Sequence, residues 1–196
     1  MSAKTLMQWS GVGGLVAGIL IAVLNGIQGV LLTSMSFGQA AATPGWIALQ
    51  TLLLLADALL LLGLVGLYVF QSGESGIVGL VGFLAAFAGT VLVAGAIWLQ
   101  AFMVPIVAQA TPEFLEADPT GSLYVGFVAS FVVYVVGWLL FGLASLRARR
   151  VPRWASLLTM AGAVLIFVGL GAEIDFPVGS VVFGLGVAGM SRALWL

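Results

Sequence analysis

One carboxylate, Asp57, stands in the middle of the apolar run from Leu52 to Leu62, with an alanine and leucines on either side. An ionisable side chain at bilayer depth costs roughly 2.5 to 3.5 kcal/mol on insertion scales, so it is either partnered inside the protein or it acts on something. Desolvation favours the neutral acid, so no arginine partner is required, and a structural hydrogen-bond donor is the competing role. On a helical wheel Gln50, Asp57 and Tyr68 fall within about 20° of one another, while Gly63 and Gly66 point to the opposite side. Asn25 and Gln28 share one face of the preceding apolar run, Gln100 closes the following one, and Ser130 and Tyr134 are spaced i, i+4 further on. Together Asp57, Gln50, Gln100, Asn25, Gln28, Tyr134 and Ser130 predict a polar pocket facing outward with Asp57 at its floor. Set against this, intramembrane amides often serve only as interhelical hydrogen bonds, worth about 0.6 kcal/mol each.

Other chemistry is closed off by composition. The chain has no cysteine and no histidine, which removes disulfides, thiol nucleophiles, thiolate or imidazole metal sites and imidazole general bases. An aspartyl intramembrane protease carries Gly-x-Gly-Asp, but Gly169-Leu170-Gly171 is followed by Ala172, and the only lysine, Lys4, leaves no intramembrane amine for a retinal Schiff base. The acids Glu113, Glu116, Asp118, Glu173 and Asp175 lack the spacing of a calcium loop. No enzyme activity, cofactor or metal is expected.

The elements that must position these side chains follow from 62% hydrophobic and 7% charged residues, against about 25% charged in soluble domains. An all-α polytopic transmembrane bundle is expected, in a single domain over 1–196. Six runs are long enough for about 30 Å of hydrocarbon, at roughly 17 to 25 residues each: 9–32, 46–70, 77–100, 123–146, 154–171 and 178–195. The links SMSFGQAAATPG, QSGESG, RARRVPR and AEIDFP are short. The first run is too long for the apolar core of a signal peptide and reads as a retained span. Pro105 predicts a break at the end of the third run. Thr111-Pro112-Glu113 reads as the start of one short external helix lying on the membrane surface through Phe114 and Leu115.

Charge is sorted along the chain. With the N-terminus inside, one face holds Lys4, Arg147, Arg149, Arg150, Arg153 and Arg192 with Glu74, net +5, and the other holds the five acids named above, net −5. Placing every basic residue on one side predicts a multi-pass protein of the cell (inner) membrane with both termini cytoplasmic. Arg147, Arg149, Arg150 and Arg153 mark a topology anchor that can meet anionic lipid headgroups, and no basic surface remains for nucleic acid. Glycines at 11, 14, 18 and 29, at 82 and 89, and at 179 and 186 define helix faces that must look at protein rather than lipid.

The segment Gly142 to Gly171, with Val151-Pro152-Arg153-Trp154 entering a Leu- and Gly-rich run, resembles uncharacterised prokaryotic six-span membrane proteins grouped as a family of unknown function. The resemblance implies the six-span fold and no activity. Two functions are expected from the residues: binding or transport of a small molecule or ion at the Asp57 pocket, or service as a non-catalytic subunit or assembly factor of a larger membrane complex. Membrane lipid and a homo-oligomer or larger complex are the expected partners.

Overall fold

The computed structural model describes residues 3–116, 120–169 and 175–195. Regular structure among them is entirely helical: α1 (Ala3–Ser34), α2 (Phe37–Ala41), α3 (Pro44–Phe102), α4 (Val104–Ala110), α5 (Pro112–Glu116), α6 (Gly121–Ala148), α7 (Arg153–Val168) and α8 (Asp175–Ser191), closed by a 3-10 turn, Arg192–Trp195. Four helical stretches are long and apolar enough to cross a membrane: Thr5–Ser34, Pro44–Ala110, Gly121–Ala148 and Phe176–Trp195. The 16 residues of α7 fall short of the roughly 20 that a full crossing takes.

The 59 residues of α3 would extend about 90 Å if straight, three times the hydrocarbon thickness. They fold back instead at Gly76, whose φ of 57° and ψ of −158° lie in a region open essentially to glycine alone. The two legs, 44–75 and 77–102, run antiparallel. Tyr68 stacks on Phe83 with centroids 4.4 Å apart near the turn, and the Trp46 indole donates to the Gln100 carbonyl at 2.8 Å at the far end. The expected link 71–76 is therefore helix through residue 75, and Gln71 and Ser75 are buried. Helix continuation keeps the backbone groups of this stretch paired up to the one residue that makes the turn.

Neighbouring helices touch backbone to backbone at glycine. A Cβ on Gly82 would meet the backbone of Leu140 and Phe141, on Gly89 that of Val133 and Tyr134, and on Gly137 that of Ala85 and Ala86. Each step along the second leg of α3 matches an equal step back along α6, which makes an antiparallel pair in constant register. The same relation holds between Gly63 of the first leg and Gly14 of α1, between Gly18 of α1 and Gly184 of α8, and between Gly162, Gly179 and Gly186 across α7 and α8. Gly142 of α6 receives Met160 of α7. The order α1, first leg, second leg, α6, α7, α8 and back to α1 closes a ring of six helical segments. The glycine faces expected to look at protein do so.

Inside the ring Leu60, Leu64, Leu67, Trp138, Phe141, Phe183, Val187 and Met190 belong to one buried cluster. The Trp138 and Phe183 rings meet at right angles with centroids 5.0 Å apart. At one end of the ring α2, α4 and α5 form a small cap, with Ala40, Ala41, Trp46 and Ala108 buried against Phe37, Val104 and Leu115. Helix α2, inside the first expected link, is held by a capping box: the Ser36 hydroxyl accepts from the Gln39 amide at 3.4 Å and the Gln39 side chain accepts from the Ser36 amide at 3.1 Å. The break expected near Pro105 falls at Met103, and the proline opens α4, where its missing N–H costs nothing.

The opposite end carries the arginines. Arg150 donates through Nε to the Glu74 carboxylate at 3.1 Å and through its terminal nitrogen to the same oxygen, with its guanidinium 5.9 Å above the Phe70 ring. That hydrogen bond, and then the charge of Glu74, raise the Arg150 pKa above its ordinary value. Arg147, Arg149, Arg153 and Arg192 are exposed there. Glu113 is exposed on the cap, whereas Asp118, Glu173 and the end of the fifth expected run at 170–171 lie outside the described residues.

Three glycine substitutions separate the roles. Gly137→Ala drives a methyl into the Ala85 and Ala86 backbone and is expected to cost roughly 1 to 3 kcal/mol. Gly76→Ala, with open space around its Cβ, is expected to cost a similar roughly 1 to 3 kcal/mol through backbone strain alone. Gly95→Ala, also in open space, leaves stability unchanged or raises it by up to about 1 kcal/mol. Thermal unfolding in mild detergent, followed by loss of the monodisperse gel-filtration peak, orders the three; equal behaviour of Gly137→Ala and Gly95→Ala would contradict the packing account.

Candidate functional site

Asp57 lies halfway down the first leg of α3, on the face turned into the ring, and is 5% exposed. The side chain keeps that place because the other face of the same helix, through Gly63 and Gly66, is pressed against α1. Its Oδ2 is buried without a hydrogen-bond partner. Among the described residues the one ion pair is Arg150 with Glu74, so no cation neutralises it.

Beside Asp57 is a cavity of about 50 Å³ lined by Asn25, Asp57, Tyr134 and Ser180 together with apolar side chains. One water needs roughly 10 to 15 Å³ of such space, so the cavity has room for a few waters or a small ion. Sites for drug-sized molecules begin at roughly 300 Å³. Every helical segment of the ring contributes: Ile21 and Asn25 from α1, Leu53 and Asp57, Val93 and Ile97 from the two legs of α3, Phe131 and Tyr134 from α6, Ile166 from α7, and Phe176 and Ser180 from α8.

The hydrogen bonds of the lining side chains use their donors. Asn25 donates through Nδ2 to the Ile21 carbonyl at 3.0 Å, which turns its donor back to its own helix and leaves Oδ1 as an acceptor. Ser180 donates to the Phe176 carbonyl at 3.0 Å, so its oxygen keeps lone pairs. The side chains on the cavity thus offer one carboxylate, one amide oxygen and two hydroxyls. Those are hard oxygen ligands with a single negative charge among them, suited to a proton, a hydronium or a monovalent metal ion.

The remaining expected liners form a separate layer or stand apart. Gln50 is 1% exposed and its amide nitrogen donates to Gln100 Oε1 at 3.2 Å and to Gln28 Oε1 at 3.4 Å. This three-glutamine layer sits seven residues from Asp57 on the first leg, about 10 Å toward the cap at helical rise. Trp46 covers it from the cap side through its bond to the Gln100 carbonyl. Ser130 donates to the Gly126 carbonyl of its own helix at 2.7 Å and does not line the cavity. The broad pocket expected from the sequence is therefore two polar levels: a small chamber at Asp57 and an amide layer above it.

Ser180 went unread in the sequence. It follows Gly179, and that glycine's packing face, set by Gly179 and Gly186, lies about 100° away round the helix. The signal available was a hydroxyl on the inward side of the last span. The four arginines bring together no ligand pocket among the described residues; Arg150 is engaged with Glu74 and the others project from the surface.

Comparison with known proteins found no match to this chain among family models, curated proteins or solved structures. The class defined by the fold and the site is that of an all-helical protein with helices long and apolar enough to cross a membrane and a buried carboxyl on a small cavity.

The amide layer is measurable by itself. In a double-mutant cycle of Gln50→Leu and Gln100→Leu, unfolded by denaturant in micelles, the coupling energy is expected near 0.6 kcal/mol, the mean for interhelical polar pairs. Strict additivity of the two losses would remove the pair.

Proposed function

We propose that this chain is a six-span protein of the cell membrane, with both termini cytoplasmic, that exchanges a proton or a small monovalent cation at Asp57. The observation that carries the reading is the Asp57 carboxyl, unpartnered through Oδ2 on a water-sized chamber whose other polar groups are Asn25, Tyr134 and Ser180. A bare carboxylate in that setting costs several kcal/mol, so the group holds either its own proton or a cation. Whichever it holds, one positive charge is the natural cargo. A larger organic substrate is disfavoured by the size of the chamber.

Six spans are supported by the fold-back at Gly76, which divides the longest helix into two antiparallel legs, and by α7 standing in the ring beside full-length helices. The cytoplasmic placement of the termini rests on the gathering of Arg147, Arg149, Arg150, Arg153 and Arg192 at one end, where anionic lipid headgroups would meet them. A second reading, a non-catalytic subunit of a larger membrane complex, is favoured by one observation: an apolar groove on α1 formed by Ala22, Val23, Gly26, Ile27, Val30 and Leu31, with open space at Gly26.

Purified protein in liposomes, loaded with a pH-sensitive dye and placed under an imposed Na⁺, K⁺ or proton gradient, tests the first reading. Wild type is expected to move charge, and Asp57→Asn to lose that movement while keeping a monodisperse gel-filtration peak. Flux of wild-type size in a well-folded Asp57→Asn protein would overturn it. Native mass spectrometry of gently extracted protein serves the second reading, which predicts a stoichiometric complex with other chains that is unchanged by the same substitution.

A further inference from the structure

Six described side chains bury a polar atom that has no hydrogen-bond partner: Ser10, Asp57, Gln71, Ser75, Ser156 and Ser191. Asp57 belongs to the chamber above. The other five all lie toward the arginine end, where α1 begins, the first leg of α3 ends, α7 begins and α8 ends. Ser10 and Ser191 lie at the contacts of α1 with its neighbours, against Gly66 and Gly14 respectively. Gln71 is fully buried, and both its amide nitrogen and its amide oxygen are unpaired.

A serine in a helix often turns to a carbonyl of its own helix, as Ser145 does to Phe141 at 2.9 Å. A glutamine with both ends unpaired has no such remedy. Folded proteins leave very few polar groups in this condition, and ordered water is the usual partner of those that cannot find one in the protein. Gln71 and Ser75 share the inward face of the first leg with Asp57, about 21 Å further along for Gln71. Between them on that face stand Leu60, Leu64 and Leu67, each no more than 1% exposed. They are packed in one cluster with Trp138, Phe141, Phe183 and Met190. The Trp138 N–H is already given to Thr90 at 3.2 Å, so this plug offers water no free donor from that ring.

We propose that the arginine end of the bundle contains a second polar site, a water-filled vestibule around Gln71 and Ser75, and that Leu60, Leu64 and Leu67 form the dry barrier dividing it from the Asp57 chamber. Its ligand is water and the protons that water carries. As the inner half of a charge pathway the vestibule rests on the reading of Asp57 given above; as a hydrated site it stands on Gln71 alone.

The chain has no cysteine, so Ser75→Cys, Gln71→Cys, Leu64→Cys and Asp57→Cys each introduce the sole thiol. Ag⁺, a small monovalent ion that reaches thiols through water, is added to one side of vesicles of fixed orientation. Free thiols are then counted with a maleimide after denaturation. Ser75→Cys and Gln71→Cys are expected to lose maleimide labelling when Ag⁺ is applied at the arginine end, and Leu64→Cys to keep it with Ag⁺ on either side. Full retention of label by Ser75→Cys and Gln71→Cys would overturn the vestibule, and loss of label by Leu64→Cys would overturn the barrier. Ser75→Cys changes a single atom and carries the test if Gln71→Cys does not yield a monodisperse protein. The Asp57 reading is scored separately: Asp57→Cys should lose label from the cap side, and its protection from both sides, with Ser75→Cys reactive, would leave the vestibule standing and remove the chamber as an exchange site.

Discussion

Close backbone contact at glycine is the constraint on which this structure depends. Helices within lipid gain no hydrophobic energy by meeting one another, so association must come from surface fit and from the few polar bonds between them. Along the second leg of α3 and α6, along α1 and α8, and along α7 and α8, glycine lets one backbone touch the next at repeated points in a fixed antiparallel register. These contacts lie on the sides of the helices, between ring neighbours. The inward faces are thereby released from the task of holding the bundle together.

The released faces are the ones that carry chemistry. On the first leg of α3 the inward face reads Gln50, Asp57, Leu60, Leu64, Leu67, Gln71 and Ser75, all buried, so polar and apolar levels alternate along the ring axis. The aromatic side chains of α6 and α8 fill the middle, where Trp138 and Phe183 meet edge to face. A carboxyl among leucines would weaken a fold that depended on that face for cohesion. Here the cost is local, and the glycine seams offset it elsewhere.

Periodicity made much of this legible before any coordinates. Gly11, Gly14 and Gly18 fall on one face at 100° per residue, and that face does meet α8 and the first leg of α3. Asp57, Asn25 and Tyr134 were singled out by their chemistry and do share one chamber. A helical wheel resolves angle and ignores depth, which is why Gln50 and Asp57 were placed in one pocket although about 10 Å of helix separates them. It also cannot weigh a polar stretch against helix continuation: Gln71-Ser72-Gly73-Glu74-Ser75 has the composition of a loop, yet it is helix, with Gln71 and Ser75 buried and Glu74 held by Arg150. The Ser36 to Gln39 capping box was present in the sequence of the first link and marks α2 in hindsight. Asp118 and Glu173, which bear on the charge of the cap end, fall outside the described residues.

The turn at Gly76 has a mechanical meaning. Two legs joined by a single residue, and pinned at their far ends by the Trp46 to Gln100 bond, have no slack with which to slide past each other. The first leg bears on α1 through Gly63 and the second on α6 through Gly82 and Gly89, so one hairpin closed at both ends fills the whole side of the ring between those two helices.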